Sequence, residues 1–152
     1  MESLDRQIVL ALANDSSLSL TDFAAQLDVP SSTLHQRVKK LEARGVITGY
    51  RAEVDKRQVG LKINALISLT PIDPAAPDDI AEKVAEIPEI ESCWSVAGVE
   101  SYIVKVAVAE PEALEELLAR IRAAANVSTK TSVILSTAFE SRPPAIPEES
   151  ND

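Results

Sequence analysis

The sequence predicts an α+β fold: an N-terminal winged-type helix-turn-helix followed by a ferredoxin-like β-α-β-β-α-β domain. Three observations carry that expectation. Two short amphipathic patterns between Leu20 and Ile47 are separated by the break Asp28-Val29-Pro30. From Lys62 onward the apolar spacing alternates between strand-like and helix-like, in the order strand, helix, strand, strand, helix, strand. The charge is divided as well. Residues 1–60 hold eight acidic and eight basic side chains, and the whole net charge of −9 falls on residues 61–152. Such asymmetry marks parts with different partners, and an acidic half should face away from any nucleic acid.

Leu4 to Ala13 reads as a first helix with Leu4, Ile8 and Leu12 as its apolar stripe, ended by Asn14-Asp15-Ser16-Ser17. It carries no groove chemistry and supports the pair that follows. Leu20 to Leu27 is the second helix, with Ser19 as its cap and Asp22 in the capping-box position. Pro30 biases Val29 away from helical angles. Ser31 is expected to cap a third helix, on which Leu34, Val38 and Leu41 share one face. Gly45 ends it, since glycine best tolerates a left-handed terminus. Val46 to Val54 mixes β-branched and polar residues and reads as a short strand leaving this unit. Asp55-Lys56-Arg57-Gln58 is a polar hinge. The expected domains are therefore 1–50 for the helix-turn-helix, 51–61 for a strand and hinge linker, and 62–140 for the second domain.

In that second domain Lys62 to Thr70 alternates, with Ile63, Ala65, Ile67 and Leu69 on one face. Asp78 to Ile87 is a helix turning Ile80, Val84 and Ile87 inward. Glu91 to Ala97 is a strand, Gly98 to Ser101 a turn, and Tyr102 to Ala109 a strand. Pro111 opens a helix striped by Leu114, Leu117, Leu118 and Ile121. Thr129 to Phe139 is the last strand. Residues 141–152, with three prolines and several acids, read as a disordered acidic tail. Both helices of such a fold lie on one face of an antiparallel sheet. Ile103, Ala107 and Ala109 help make the other face apolar, which suggests that a partner subunit covers it.

Composition bounds the function. The chain has 152 residues, 45% of them hydrophobic, enough for one ordinary domain or two small ones. No apolar run reaches the length of a membrane span. The start, MESLDRQIV, lacks the layout of a signal peptide. A single cysteine, Cys93, excludes an intrachain disulfide, so a cytoplasmic protein is the simple reading.

The outward face of the third helix is polar and basic. Ser31, Ser32, Thr33, His35, Gln36, Arg37, Lys39 and Lys40 are its candidate DNA-binding residues. The second helix of a helix-turn-helix can enter the major groove. There glutamine can pair with adenine, and serine or threonine can bond either base type. Lysine and arginine neutralise phosphates. Taken alone, this face is equally a solvated basic surface on an ordinary core helix. The proline turn, both caps and the groove chemistry together favour DNA.

A helix-turn-helix with a β exit strand, then a β-α-β-β-α-β domain, resembles the Lrp/AsnC family of bacterial and archaeal regulators, also called feast/famine proteins. The resemblance is carried by LDRQIVLAL, VPSSTLHQRVKKLEARGVITGY, VGLKINALISL, VAGVESYIVKV and VSTKTSVIL, and it covers about residues 2–140. It implies a nucleoid-associated transcriptional regulator that is not an enzyme. Its second domain would form homodimers, often octamers built as a tetramer of dimers, and would bind a small amino-acid effector that modulates assembly or DNA affinity. No other cofactor is implied.

The effector site is expected at subunit contacts between dimers, around Val96, Ala97, Gly98, Val99, Glu100, Ser101, Thr129 and Thr131. The glycine turn can offer backbone N–H groups to a carboxylate and lets a ligand approach closely, while the threonines can add hydroxyl bonds. Many family members carry an aspartate three residues after that glycine, where this chain has the neutral Ser101. That departure implies a weaker grip on the amino group or a different selectivity, with Glu100 from another chain as a substitute. Within one strand Glu100 would point the other way. Gly98 is equally a plain hairpin glycine, and surface β-propensity explains Thr129 and Thr131 nearly as well. Trp94 reads as interface packing, or else as pocket lining. His35 is the only histidine, so no catalytic triad and no metal cluster built on histidine is expected in one chain. Two alternatives from other classes are an architectural DNA-binding protein without an effector and, disfavoured by the lack of an acid–base constellation, an enzyme on a ferredoxin-like domain.

Overall fold

The structure, a computed structural model, describes residues 1–147. The chain forms two compact units, one from Met1–Glu53 together with the segment from Phe139 onward, the other from Val54–Ala138. In the first unit α1 (Ser3–Asn14), α2 (Leu20–Gln26) and α3 (Ser31–Ala43) are packed by period. Ile8, Leu12, Ala24, Leu34, Val38 and Leu41 form its core, edged by Leu4, Phe23 and Ile47. The Ser19 side chain accepts the Asp22 N–H, as its position foretells.

Two details of this unit differ from the sequence reading. Ser31 does not cap α3. Pro30 stands in the cap position with φ −59° and ψ 135°, and its carbonyl accepts the N–H groups of Thr33 and Leu34. The ring fixes φ where an extended cap residue needs it, so Ser31 falls inside the first turn. Asp28, with φ 53°, makes the sharp bend before it. The expected strand over 46–54 is absent too. The N–H groups of Val46 and Ile47 both return to the Leu41 carbonyl, at 2.9 and 3.2 Å, closing α3 behind Gly45 at φ 69°. Tyr50 donates to Glu42 at 2.8 Å. Among the described residues no strand runs beside the segment, and without a ladder an extended segment is not a strand.

The residues from Phe139 to 147 form neither helix nor strand. Arg6 Nη2 of α1 donates to the Ile146 carbonyl at 2.9 Å, and the Arg142 guanidinium lies 3.7 Å above the Phe139 ring. Of the tail expected at 141–152, residues 148–152 lie outside the described residues.

The second unit holds β1 (Ile63–Pro71), α4 (Ile80–Val84), β2 (Ile90–Ser95), β3 (Tyr102–Val108), α5 (Pro111–Ala125) and β4 (Val127–Ile134). The four strands form one antiparallel sheet in the order β2-β3-β1-β4. This is the ferredoxin-like arrangement, and the α+β expectation holds. Ala65, Ile67 and Leu69 of β1 pair with Val106, Val104 and Tyr102 of β3, and all six are buried against the helices with Leu117 and Ile121 of α5. Helix α4 is shorter than expected. Pro88 follows closely, and the entry to α4 is tied by Tyr102, whose hydroxyl donates to Asp78 at 2.8 Å. Strand β4 starts two residues early and stops at Ile134. Asn126, left-handed at φ 51°, ends α5 sharply. Ile134 pairs with Asn64, one residue from the start of β1, so little of β1 is left to extend the ladder towards Phe139.

The other face of the sheet carries Leu66, Ser68, Trp94, Ile103, Lys105 and Ala107, as the register requires. Trp94 is 47% exposed there, and Ala109 lies beyond the end of β3. No helix of the described residues is long and apolar enough to cross a membrane.

Candidate nucleic-acid interface and effector site

Helix α3 turns Leu34, Val38 and Leu41 inward, so geometry alone sends the intervening residues out. Ser32, His35, Gln36, Lys39 and Lys40 are exposed, and Ser31, Thr33 and Arg37 are half-buried. Gln36, Lys40 and Arg44 border a groove of about 390 Å³ whose far wall is Glu2 and Asp5 of the N-terminal segment. His35 Nδ1 lies 2.8 Å from the Ser31 carbonyl. A carbonyl only accepts, so in this contact Nδ1 is the donor.

Arg37 is placed differently from its neighbours. Its Nη1 donates to Glu2 at 2.7 Å and to Asp5 at 2.8 Å. These bonds, Asp5 first, hold the guanidinium charged. Asp5 is the one charged residue buried among the described residues. The sequence reading assigned Asp5 no role. Its signal was available: it stands three residues before Ile8 on the inward side of α1, where an acid needs a cation.

The candidate effector residues fall into two groups. Val96 to Ser101 form the turn between β2 and β3, closed by the Val96 N–H donating to the Ser101 carbonyl at 3.0 Å. The Ser101 N–H is spent on the Leu69 carbonyl. Val99 projects, 93% exposed, and Ala97 and Gly98 are exposed beside it. Glu100 accepts from the Ser68 hydroxyl at 3.0 Å. Its own backbone N–H, that hydroxyl and the charge of Lys130 hold the carboxyl below its usual range. A Cβ built on Gly98 would meet only the Glu100 carboxylate, at 3.7 Å, so the backbone there does not require glycine.

Thr129 and Thr131 lie elsewhere. They pair with Leu69 and Ile67, so they share the helix-covered face. The Thr129 hydroxyl accepts from Arg122 of α5 at 3.3 Å. Ser68 and Lys130, beside Glu100, belong to the opposite face. One chain therefore brings Gly98, Glu100 and Ser101 together and keeps the two threonines apart from them.

Comparison with known proteins places these parts in context. A winged helix-turn-helix DNA-binding family matches residues 1–48, and the Lrp/AsnC ligand binding domain matches residues 64–144. The chain is 42% identical over 142 residues to the HTH-type transcriptional regulator LrpA of Mycobacterium tuberculosis, covering 93% of this chain and 95% of that protein. Among solved structures, a feast or famine regulatory protein from M. tuberculosis complexed with L-methionine superposes with a TM-score of 0.91 at 42% identity, over 94% of this chain and 99% of the other. LrpC of Bacillus subtilis superposes with a TM-score of 0.82 at 27% identity, over 91% of this chain and 97% of the other.

Proposed function

The chain belongs to the Lrp/AsnC family of transcriptional regulators, and from that premise we propose that it reads specific DNA sequences through α3 under the control of a small amino acid. The observation that carries the DNA reading is the face of α3, which presents Ser32, His35, Gln36, Lys39 and Lys40 to solvent on a helix whose opposite face, Leu34, Val38 and Leu41, is buried. Gln36 reads a base edge, Ser31, Ser32, Thr33 and His35 flank it, and Lys39, Lys40 and Arg37 hold phosphates. A pair of base contacts is what specifies sequence, whereas phosphate contacts position. Gln36→Ala should therefore lower specific affinity by roughly 1–3 kcal/mol per lost base contact and leave non-specific affinity in place. Lys40→Ala should weaken both alike and flatten the salt dependence. Titration of each variant against operator and random duplex by fluorescence anisotropy checks this. An unchanged ratio for Gln36→Ala would remove that residue from the groove.

The effector reading is supported by the ligand-binding domain match and by the relative that holds L-methionine. The ligand carboxylate would meet the turn at Gly98, with Glu100 and Ser101 at its amino end. Because Thr129 and Thr131 lie on the other face of the sheet, a site that includes them takes its two halves from two chains. That fits a contact between dimers within an octamer, nucleoid-associated in the cell, with dimers formed across the open face of the sheet and half-sites arranged as a palindrome. Gly98→Val meets no backbone and should fold normally. Calorimetry with the amino acid that best stabilises the parent protein should show binding at least tenfold weaker in this variant. Equal binding would place the site elsewhere. No binding of any amino acid to the parent would favour the architectural reading, to which the neutral Ser101 already lends some support.

A further inference from the structure

Arg37 is the one basic side chain on the reading helix that the structure shows bound to acids, and the two acids are unlike each other. Asp5 is buried, its side chain 11% exposed, while Glu2 lies outside α1 with its side chain 70% exposed. Glu2 occupies the cap position of α1 yet makes no cap bond with its side chain. Its carboxylate goes to Arg37 instead. Both acids form the wall of the groove facing Gln36, Lys40 and Arg44.

We propose that Glu2 is a stand-in for a DNA phosphate, held on Arg37 while Asp5 anchors the same guanidinium, so that the duplex must displace Glu2 to complete its contact. The inference rests on the DNA reading of α3 and deepens it. The physical grounds are the unequal strengths of the two pairs. An exposed ion pair is held weakly against solvent and salt. A buried carboxylate deprived of its cation is strongly disfavoured, so Asp5 keeps Arg37 where it is. Duplex DNA presents a negative charge every ~1.7 Å of its axis, and phosphate accepts paired bonds from a guanidinium as well as a carboxylate does. A phosphate arriving at the groove therefore exchanges with the outer acid and not with the inner one. Arg37 is a phosphate contact whose availability Glu2 sets, and Asp5 is its positioning residue. The acid raises the threshold for binding any duplex. Base-edge readout, which runs through Gln36, is left as it was.

The test uses the full chain with an operator duplex and a random-sequence duplex, each titrated across a salt series. Glu2→Gln keeps the shape and removes the charge. It should bind the duplex about fivefold tighter at low salt and steepen the slope of log affinity against log salt by up to about 0.9, one phosphate contact. The ratio of specific to non-specific affinity should not move. Asp15→Asn removes the same charge at the far end of α1, roughly 20 Å away at ~1.5 Å per residue, and from about 0.1 M salt upward, where the screening length is ~10 Å, should change neither quantity. Circular dichroism melting confirms that both variants fold. A Glu2→Gln protein that binds like the parent, or that gains no more than Asp15→Asn, overturns the proposal. If the parent itself binds no duplex, the DNA reading of α3 fails first, and this inference with it.

Discussion

Replacing Leu34 by alanine should unfold the DNA-binding unit while the sheet unit stays folded. Leu34 is fully buried, and among the described residues the core it belongs to has six buried apolar side chains. A leucine-to-alanine change in such a site costs about 2–5 kcal/mol, from lost transfer energy and the cavity left behind. A unit this small has little to spare. The chain carries a built-in pair of reporters for this. Its single tryptophan, Trp94, sits in β2 of the sheet unit, whereas most of the described helix belongs to the other. Thermal melting followed by far-ultraviolet circular dichroism should therefore show an early loss of helix, with Trp94 fluorescence keeping the parent's transition. DNA binding should vanish with the helix signal. Coincident transitions from both probes in Leu34→Ala would mean that the two units melt as one, and that the division at residues 53 and 138 has no energetic meaning.

The second large effect contrasts the two faces of β3. Val106 is buried between Ala65 and Ile90 on the helix side, and Ile103 points to the open face opposite Ser68 and Trp94. Val106→Asp places an unpaired charge in the core, a cost of several kcal/mol that the unit does not survive. Ile103→Asp places the same charge where a second subunit is proposed to sit. It should leave the melting profile of the isolated chain recognisable and shift the protein from an assembly to a monomer in light scattering. If Ile103→Asp assembles like the parent, the open face is not the contact.

The fold was legible where a pattern repeats. Ile8, Leu12, Leu34, Val38 and Leu41 announce their helices by spacing, and Ile67, Leu69, Val104 and Val106 announce their strands by alternation. All are buried. The misreadings share a cause. Whether Val46 to Val54 pairs with anything, and where β4 stops, depend on what lies beside the segment and not on the segment itself. The position of Ser31 depends on a competition with Pro30 that residue preferences alone do not rank. For the candidate sites the same division holds. The exposed face of α3 follows from its core face. The separation of Thr129 from Glu100 follows from strand register, which needs the partner strands to be known. The Arg37 pair with Glu2 and Asp5 joins residues more than thirty positions apart, beyond the reach of any local pattern.

The bond from Arg6 to the Ile146 carbonyl spans 140 positions, nearly the whole chain. Closing a loop costs entropy that grows with its length, and contacts of such separation form late. The sheet unit lies wholly inside that loop as one continuous segment. The Arg6–Ile146 bond therefore closes around a unit that can form without it. The helix contacts within residues 3–43 and the ladders within residues 63–134 close much shorter loops, so the return of the segment from Phe139 to α1 should be the last contact to close and the first to open, like the tuck at the end of a wrapped cord.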